Sequence, residues 1–212
     1  MILPVEVDIF GVMEENVYFF TDDETRGGFI IDPGAEADKL LQIIKREEFT
    51  IEKILLTHGH YDHIGAVNEL RRVLNIPVCM GRGGNFYARN VANNGSKYFE
   101  VETTIDDVTI LDDGEEISLS GNPNFKLKII AAPGHTLDGT IYYSEKYSSA
   151  FVGDTIFYGG RGRTDLAGGS ELDLMNTIKN RVFTLPDETV LFCGHGLSTT
   201  VGEEKNRAWY NL

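Results

Sequence analysis

Three histidines and an aspartate lie within one short stretch of the chain, THGHYDH at residues 57–63. An apolar run at residues 54–56 precedes this stretch and another at residues 64–67 follows it, so the stretch lies where a strand ends and a helix begins. Neutral imidazole nitrogen and carboxylate oxygen are ligands that suit Zn, Fe and Mn. The composition therefore predicts a divalent-metal site at the end of a buried strand.

The spacing of these residues divides them into two sets. Side chains repeat every two residues along an extended segment, so His58 and His60 project to the same side. Asp62 and His63 fall in the turn into the helix, where they face a second point close by. Two sets of ligands suggest two metal ions.

The other histidines lie in similar places. The chain has five histidines, and all of them lie in glycine-rich junctions, His135 in APGHT and His195 in CGHG. Each of these two follows an apolar, strand-like run, at residues 127–131 and 190–192. A lone loop histidine usually hydrogen-bonds to the backbone, but this shared arrangement favours metal ligation.

A carboxylate ends another apolar run, at Asp154 after residues 150–153. In a site with two metal ions such a carboxylate can bridge both, with one oxygen on each. The alternative role is a helix N-cap, which an Asp before Thr155 could also form.

The pattern resembles the His-x-His-x-Asp-His signature of the metallo-β-lactamase superfamily, and His135, Asp154 and His195 follow in the order that this superfamily uses. The resemblance covers nearly the whole chain. It implies an α/β (α+β) fold, a four-layer αββα sandwich with the site along one edge of the sheets. The implied ligands are His58, His60 and His135 for one ion and Asp62, His63 and His195 for the other, with Asp154 between them.

Two divalent ions at such a site would activate water. A water between two dications loses its proton near neutral pH, since one zinc ion alone lowers the pKa of its water to about 7. The hydroxide would attack an activated carbonyl, with Asp62 and Asp154 as the catalytic carboxylates. Zn is the first expectation for both ions, and Fe or Mn would accept the same ligands. No Gly-x-Ser-x-Gly motif of a serine nucleophile occurs in the sequence.

Two further motifs resemble the glyoxalase II group. Residues 194–203, GHGLSTTVGE, look like its short bacterial, hydroxyacylglutathione hydrolase-like subgroup. Residues 160–165, GRGRTD, resemble a segment in which the group places a basic residue that holds the carboxylates of a glutathione thioester. Arg163 occupies that position and Arg161 is a second candidate, although a solvated loop or ion pairs with Asp165 would also account for them. The resemblance implies hydrolysis of a small, anionic thioester.

Other activities stay open. Full glyoxalase II enzymes add a C-terminal helical domain that supplies much of the glutathione pocket, whereas we expect residues 1–212 to be a single domain without it. A lactone or another ester would therefore also fit. Persulfide dioxygenases are similar in the same motifs but use a single Fe(II), here held by His58, His135 and Asp154. A vestigial centre or a metal sensor is a third, non-enzymatic reading.

Composition limits the partners and the location. The formal net charge of −14 argues against nucleic acid, which is bound by clustered Lys and Arg. No apolar run approaches the roughly 20 residues of a membrane span, and the first residues lack the basic region of a signal peptide. We therefore expect a cytoplasmic enzyme that acts on a small molecule. The presence of Asp154 and the lack of a signal peptide disfavour a secreted β-lactamase. The sequence does not indicate an oligomeric state.

The periodicity predicts mixed strands and helices rather than a regular βαβ alternation. Strands are predicted at residues 2–10, 17–21, 29–31, 51–56, 77–80, 108–111, 116–119, 125–132, 140–144, 150–153 and 190–192. Helices are predicted at residues 35–48, 64–74, 171–181 and 203–212, and residues 81–98 are a connection of unassigned role.

Three single residues carry separate expectations. Asp32 begins a turn, DPG, and is either a group behind the metals, as the resemblance implies, or a turn and cap residue. Cys79 and Cys193 each lie in or beside a strand-like run, so we expect buried free thiols rather than a disulfide.

Overall fold

Strands dominate the computed structural model, which describes residues 1–99 and 101–207. Within these residues the strands are β1 (Ile2–Ile9), β2 (Met13–Thr21), β3 (Gly27–Ile31), β4 (Thr50–Leu55), β5 (Val78–Gly81), β6 (Val108–Leu111), β7 (Glu116–Ser118), β8 (Lys126–Ala131), β9 (Thr140–Ser144), β10 (Ser149–Gly153), β11 (Ile156–Phe157), β12 (Gly160–Arg161), β13 (Val190–Cys193) and β14 (Thr199–Thr200). The α-helices are α1 (Ala37–Arg46), α2 (Tyr61–Ile64), α3 (Val67–Leu74), α4 (Gly84–Ala88), α5 (Glu171–Thr177) and α6 (Val201–Lys205), with a 3₁₀ turn at Ser96–Tyr98 and a π turn at Ile178–Val182.

Twelve of these strands form two six-stranded sheets. The first has the order β1-β2-β3-β4-β5-β6, antiparallel up to β3 and parallel from β3 onward. The second has the order β14-β13-β10-β9-β8-β7, in which β10 and β13 are parallel. Because β9 is antiparallel to both β8 and β10, the strands β8, β10 and β13 run in one direction, and their carboxyl ends meet at one edge.

The alternation of side chains builds three apolar layers. Along β2, Val17 and Phe19 face the helices, whereas Tyr18 and Phe20 face the second sheet. In the second sheet, Ile129 of β8 belongs to this middle layer. The next residue, Ile130, and Val152 of β10 face the other way and pack with Leu174 of α5. Both sheets are therefore covered by helices on their outer faces and by each other on their inner faces. This confirms the predicted four-layer αββα sandwich.

The elements differ from the sequence prediction in a few places. The helix predicted at residues 64–74 is interrupted, because the Ala66 amide donates to Pro33 O (3.0 Å) instead of continuing the helix. Residues 84–88 form a helix that the sequence prediction lacked. The strand β2 begins four residues earlier than predicted, at Met13. The last predicted helix, 203–212, begins at residue 201 and ends at Lys205, and its residues 208–212 lie outside the described part.

Both cysteines are buried and free, as predicted. Cys79 packs between the sheets, and Cys193 packs on the outer face of the second sheet. Among the described residues, no helix is both long and apolar enough to cross a membrane.

The middle layer should dominate the stability of this fold. Phe125 is fully buried there, its ring 4.3 Å from that of Phe20. Replacing Phe125 with Ala should lower the free energy of unfolding by about 3–5 kcal/mol, because it removes buried apolar surface and leaves a cavity. Urea unfolding followed by circular dichroism measures this loss. Tyr98→Ala, at an aromatic residue that is 80% exposed, is the control, and equal losses in both variants would contradict the assignment.

Candidate metal centre

Loops at the carboxyl ends of four strands bring the seven predicted ligands together. The loop after β4 and the short helix α2 supply four of them, and the loops after β8, β10 and β13 supply one each. The two sheets thus converge on a single edge, as the resemblance implied. In chain order, the seven residues are His58, His60, Asp62, His63, His135, Asp154 and His195.

Three histidines form the first set. The side-chain nitrogens of His58, His60 and His135 lie within 4.8 Å of one another. His60 Nδ1 faces His135 Nε2 at 3.0 Å. His58 Nε2 is buried and has no hydrogen-bond partner among residues 1–99 and 101–207. The three rings therefore present nitrogens to one small space.

The second set contains a carboxylate and two histidines. Ligand atoms of Asp62, His63 and His195 also lie within 4.8 Å of one another. Asp62 Oδ2 is 3.2 Å from His195 Nε2 and 3.7 Å from His63 Nε2. This set is more open than the first, since the His195 side chain is 25% exposed.

Asp154 lies between the two sets. Its Oδ1 is 3.4 Å from His63 Nε2, while its Oδ2 is 3.6 Å from the Nε2 atoms of both His135 and His195. Burial by itself would raise the pKa of this carboxyl, but the neighbouring His63 holds it below its usual range. Asp154 is therefore an ionised carboxylate that reaches both sets.

The outer nitrogens of three imidazoles are held by oxygen acceptors. In each ring the Nδ1–H donates outward, which turns Nε2 toward the cluster. The donor and acceptor pairs are His135 with Arg163 O (2.7 Å), His195 with Glu14 O (2.5 Å) and His63 with Asp32 Oδ2 (3.1 Å).

Asp32 lies behind the loop between β4 and α2 (residues 56–60), which we call the ligand loop. Its Oδ1 accepts a hydrogen bond from the Thr57 amide (2.7 Å), and its Oδ2 accepts one from the Thr57 hydroxyl (2.6 Å) as well as that from His63. The N-cap of α1 is Glu36 and not Asp32. Of the two expectations for Asp32, the structure shows the group behind the ligands.

Burial controls the charge of the first set. It lowers the pKa of His58 well below its usual value and that of His60 to about 4. In the second set, burial alone would lower the pKa of His63, but the nearby Asp62 and Asp154 raise it well above the usual value. His58 and His60 therefore offer neutral nitrogens at neutral pH, whereas His63 of the second set is balanced by carboxylates.

The donors fit a divalent cation. Neutral imidazole nitrogen and carboxylate oxygen are suitable ligands, and the Nε2 atoms of His58 and His63 and the Oδ1 atom of Asp154 are buried without a hydrogen-bond partner in the described part of the chain. Gly194 leaves the necessary room, because a Cβ there would lie 2.4 Å from Asp154 Oδ1 and 2.6 Å from His63 Cε1.

The two arginines predicted to bind substrate are both paired with acids. Arg163 contacts Asp165 through Nε (2.7 Å) and Nη2 (2.8 Å), and both residues are exposed. Arg161 Nη1 contacts Glu171 Oε2 at 2.7 Å. Their side chains are not brought into the cluster, although Arg163 supports His135 through its carbonyl oxygen. A role in substrate binding remains a prediction for both.

Sequence reasoning missed two buried acids beside the ligands. Glu15 is fully buried in β2, with Oε1 3.6 Å from His63 Nδ1, and burial raises its pKa well above the usual value. Asp138 is buried next to the ligand loop, where its Oδ2 would be 3.3 Å from a Cβ on Gly59. Glu15 precedes the apolar residues 17–20 of β2 and stands beside another acid, Glu14, so the sequence carried no signal that singled it out.

Comparison with known proteins agrees with this geometry. The family model of the metallo-β-lactamase superfamily matches residues 10–195. The probable metallo-hydrolase YqgX of Bacillus subtilis is 37% identical over 93% of this chain and 92% of its own length. The hydroxyacylglutathione hydrolase GloC of Haemophilus influenzae is 30% identical over 95% of this chain and 94% of its own length. The chain therefore belongs to the metallo-β-lactamase superfamily.

Three solved structures resemble the chain over nearly its whole length. The BLEG-1 B3 metallo-β-lactamase has a TM-score of 0.89, with 32% identity over 99% of both chains. TTHA1623, in a di-iron-bound form, has a TM-score of 0.80, with 31% identity over 96% of this chain and 97% of its own. ETHE1 from Myxococcus xanthus has a TM-score of 0.75, with 26% identity over 97% of this chain and 82% of its own. Within the superfamily, the relatives identify the chain as a metallo-hydrolase.

Asp138 should make the stability of the protein depend on pH. Burial raises the pKa of its carboxyl to about 7, above the value of about 3.9 expected in the unfolded chain. The folded state then holds more protons between these values, so the carboxyl costs stability as pH rises. Between pH 5 and pH 8, this carboxyl should lower the unfolding free energy of the wild type by about 2 kcal/mol. Asp138→Asn should lack this part of the decrease.

Urea unfolding of the chelator-treated proteins at both pH values measures the difference. Asp106→Asn, at an exposed aspartate, is the matched control and should keep the wild-type profile. A profile of Asp138→Asn that coincides with this control would contradict the prediction.

Proposed function

We propose that this chain is a two-metal hydrolase that cleaves small thioesters of the S-hydroxyacylglutathione kind. The convergence of two donor sets on either side of Asp154 carries this proposal. The name of the Haemophilus relative, a hydroxyacylglutathione hydrolase, supports the substrate class. The di-iron form of TTHA1623 supports a pair of ions.

Each donor set would hold one ion. When bound, a pair of divalent ions supplies a hydroxide nucleophile near neutral pH and stabilises the developing oxyanion. Zn is our first expectation, and Fe or Mn would suit the same donors. In this assignment the ligands are His58, His60 and His135 for one ion, Asp62, His63 and His195 for the other, and Asp154 for both.

Asp62 would orient the attacking water. Burial alone would raise the pKa of its carboxyl, but His63 and His195 hold it below the usual value. It is thus ionised at neutral pH and accepts hydrogen bonds. Because its side chain is 18% exposed, it lies where the cluster meets solvent, which suits contact with an entering water.

Apolar side chains around the ligand loops would contact the acyl group. Leu137 follows His135 by two residues, and Leu197 follows His195 by two. These leucines are 50% and 71% exposed. Exposed apolar residues on loops of this kind would contact the apolar parts of such a substrate.

The persulfide dioxygenase alternative uses part of the same cluster. His58, His135 and Asp154 would form a face of two histidines and one carboxylate around one Fe(II), and the likeness to ETHE1 fits this reading. The residues of the second set, Asp62, His63 and His195, also occur in such dioxygenases, so the number of bound ions and the reaction type separate the two activities. A lactone or a β-lactam as substrate would use the same nucleophile, and the likeness to BLEG-1 keeps the β-lactam in the test panel.

Metal content and reaction type test the proposal together. Protein purified without added metal should contain about two ions per chain and hydrolyse S-lactoylglutathione without consuming oxygen. Elemental analysis, a thiol-release assay and an oxygen electrode measure these properties. One iron per chain with persulfide-dependent oxygen uptake would identify the dioxygenase, and a lactone or β-lactam hydrolysed faster than the thioester would change the substrate class.

His58→Ala tests whether the first set is needed. The substitution removes a buried nitrogen donor, so we expect the loss of about one ion per chain and a decrease in kcat/KM of more than about 100-fold. Circular dichroism checks that the variant keeps its fold. Full activity in the folded variant would remove the first set from the reaction.

Arg163 and its partner Asp165 test the recognition of an anionic substrate. Arg163→Ala should raise KM for the anionic thioester about tenfold, because a charged hydrogen bond is lost. Asp165→Asn frees the guanidinium and should lower KM. Arg72→Ala, at another exposed arginine paired with an acid, is the control. An unchanged KM in both Arg163→Ala and Asp165→Asn would exclude Arg163 from the pocket.

A further inference from the structure

A fully buried tyrosine lies next to the first donor set. Tyr87 belongs to the short helix α4 and is 0% exposed. Burial raises the pKa of its hydroxyl to about 12, so the group remains a neutral phenol at neutral pH. Its role is not accounted for by the proposed ligands or substrate contacts.

Tyr87 contacts three separate segments of the chain. Its hydroxyl donates to Ala167 O at 2.8 Å and accepts a hydrogen bond from the Leu137 amide at 3.0 Å. Its ring packs edge-on against the imidazole of His60, with 5.7 Å between centroids and an interplanar angle of 88°. One side chain therefore joins the ligand loop, the loop after β8 and the loop after β12.

Two glycines make this close packing possible. A Cβ on Gly59 would lie 2.5 Å from Tyr87 Cβ, and a Cβ on Gly168 would lie 2.3 Å from the Tyr87 hydroxyl. Neither position has room for a side chain while Tyr87 stays in place. The Tyr87 side chain is thus enclosed at its Cβ and at its hydroxyl.

Each contacted segment leads to a member of the first donor set. Gly59 lies between His58 and His60, and Leu137 is two residues after His135. Ala167 belongs to the loop after β12, which also contains Arg163. That loop also reaches the first set, because the Arg163 carbonyl accepts from His135 Nδ1 at 2.7 Å.

We propose, on the basis of the function proposed above, that Tyr87 is a positioning residue that sets the spacing of His58, His60 and His135 before an ion binds. Its ring limits the orientation of the His60 imidazole. Its hydroxyl holds together the two loops that orient His135. Supporting groups of this kind affect metal affinity although they do not touch the ion.

Tyr87→Phe isolates the contribution of the hydroxyl. Zn²⁺ titration of the metal-free protein against a chromophoric chelator should show two binding steps in the wild type. In the variant, one step should weaken by about 10–100-fold, and the other should stay within about twofold. The aromatic ring is retained, so the fold should be kept.

Tyr142→Phe is the matched control. Tyr142 is also 0% exposed, and its hydroxyl donates to one backbone carbonyl, Leu56 O, at 2.8 Å. Both variants should lower Tm by at least about 2–4 °C, since Tyr142→Phe loses one hydrogen bond and Tyr87→Phe loses two. The Zn²⁺ affinities should change in Tyr87→Phe alone, which separates positioning from general stability.

A second pair of variants disturbs Tyr87 without changing it. Gly168→Ala would place a methyl group against the Tyr87 hydroxyl at a residue with φ of +80°. Gly95→Ala has the same left-handed strain, with φ of +84°, but nothing within 4 Å of the new Cβ. Gly168→Ala should weaken the same Zn²⁺ step as Tyr87→Phe, and Gly95→Ala should leave both steps unchanged.

The outcomes distinguish the two proposals. If the wild type binds two Zn²⁺ ions and Tyr87→Phe binds both with unchanged affinity, or if Tyr142→Phe weakens binding equally, Tyr87 is not a positioning residue. If the wild type binds no Zn²⁺, the proposed two-metal function fails first.

Discussion

The hydrogen bonds between Asp32 and Thr57 hold the ligand loop in place. Thr57 donates to Asp32 through its amide and its hydroxyl, and its carbonyl accepts from the Thr140 amide of the second sheet at 2.8 Å. Gly153 leaves room for this residue, because a Cβ there would lie 2.2 Å from Thr57 Oγ1. Thr57 thus connects both sheets at the point where they converge, and the seven donors are arranged around that junction.

Much of this arrangement can be predicted from the sequence. Four donors occupy a contiguous motif, and the other three each follow an apolar strand, so their residue types and positions are visible without a fold. The alternation in the strands predicts which faces are buried, and three apolar layers follow from it. The convergence itself depends on strand order, which the family resemblance provided and local periodicity could not.

The groups that support the donors could not be predicted in the same way. Tyr87 lies in a segment without clear periodicity, and its importance depends on contacts 50 and 80 residues away along the chain. Glu15 is one acid in a strand whose burial is set by both sheets. The interruption between α2 and α3 results from a contact with Pro33, which no helix propensity contains. Such effects arise from tertiary packing, which overrides local preference.

The two donor sets are stabilised by different physical means. In the first, burial keeps the imidazoles of His58 and His60 neutral, so packing and hydrogen bonds must hold them. The second lies among several carboxylates, and Asp32, Asp62 and Asp154 all raise the pKa of His63. Buried carboxylates are costly unless a proton or a cation balances them. A cation in the second set would therefore relieve electrostatic repulsion in the fold, whereas one in the first set would mainly complete an arrangement that packing has already formed.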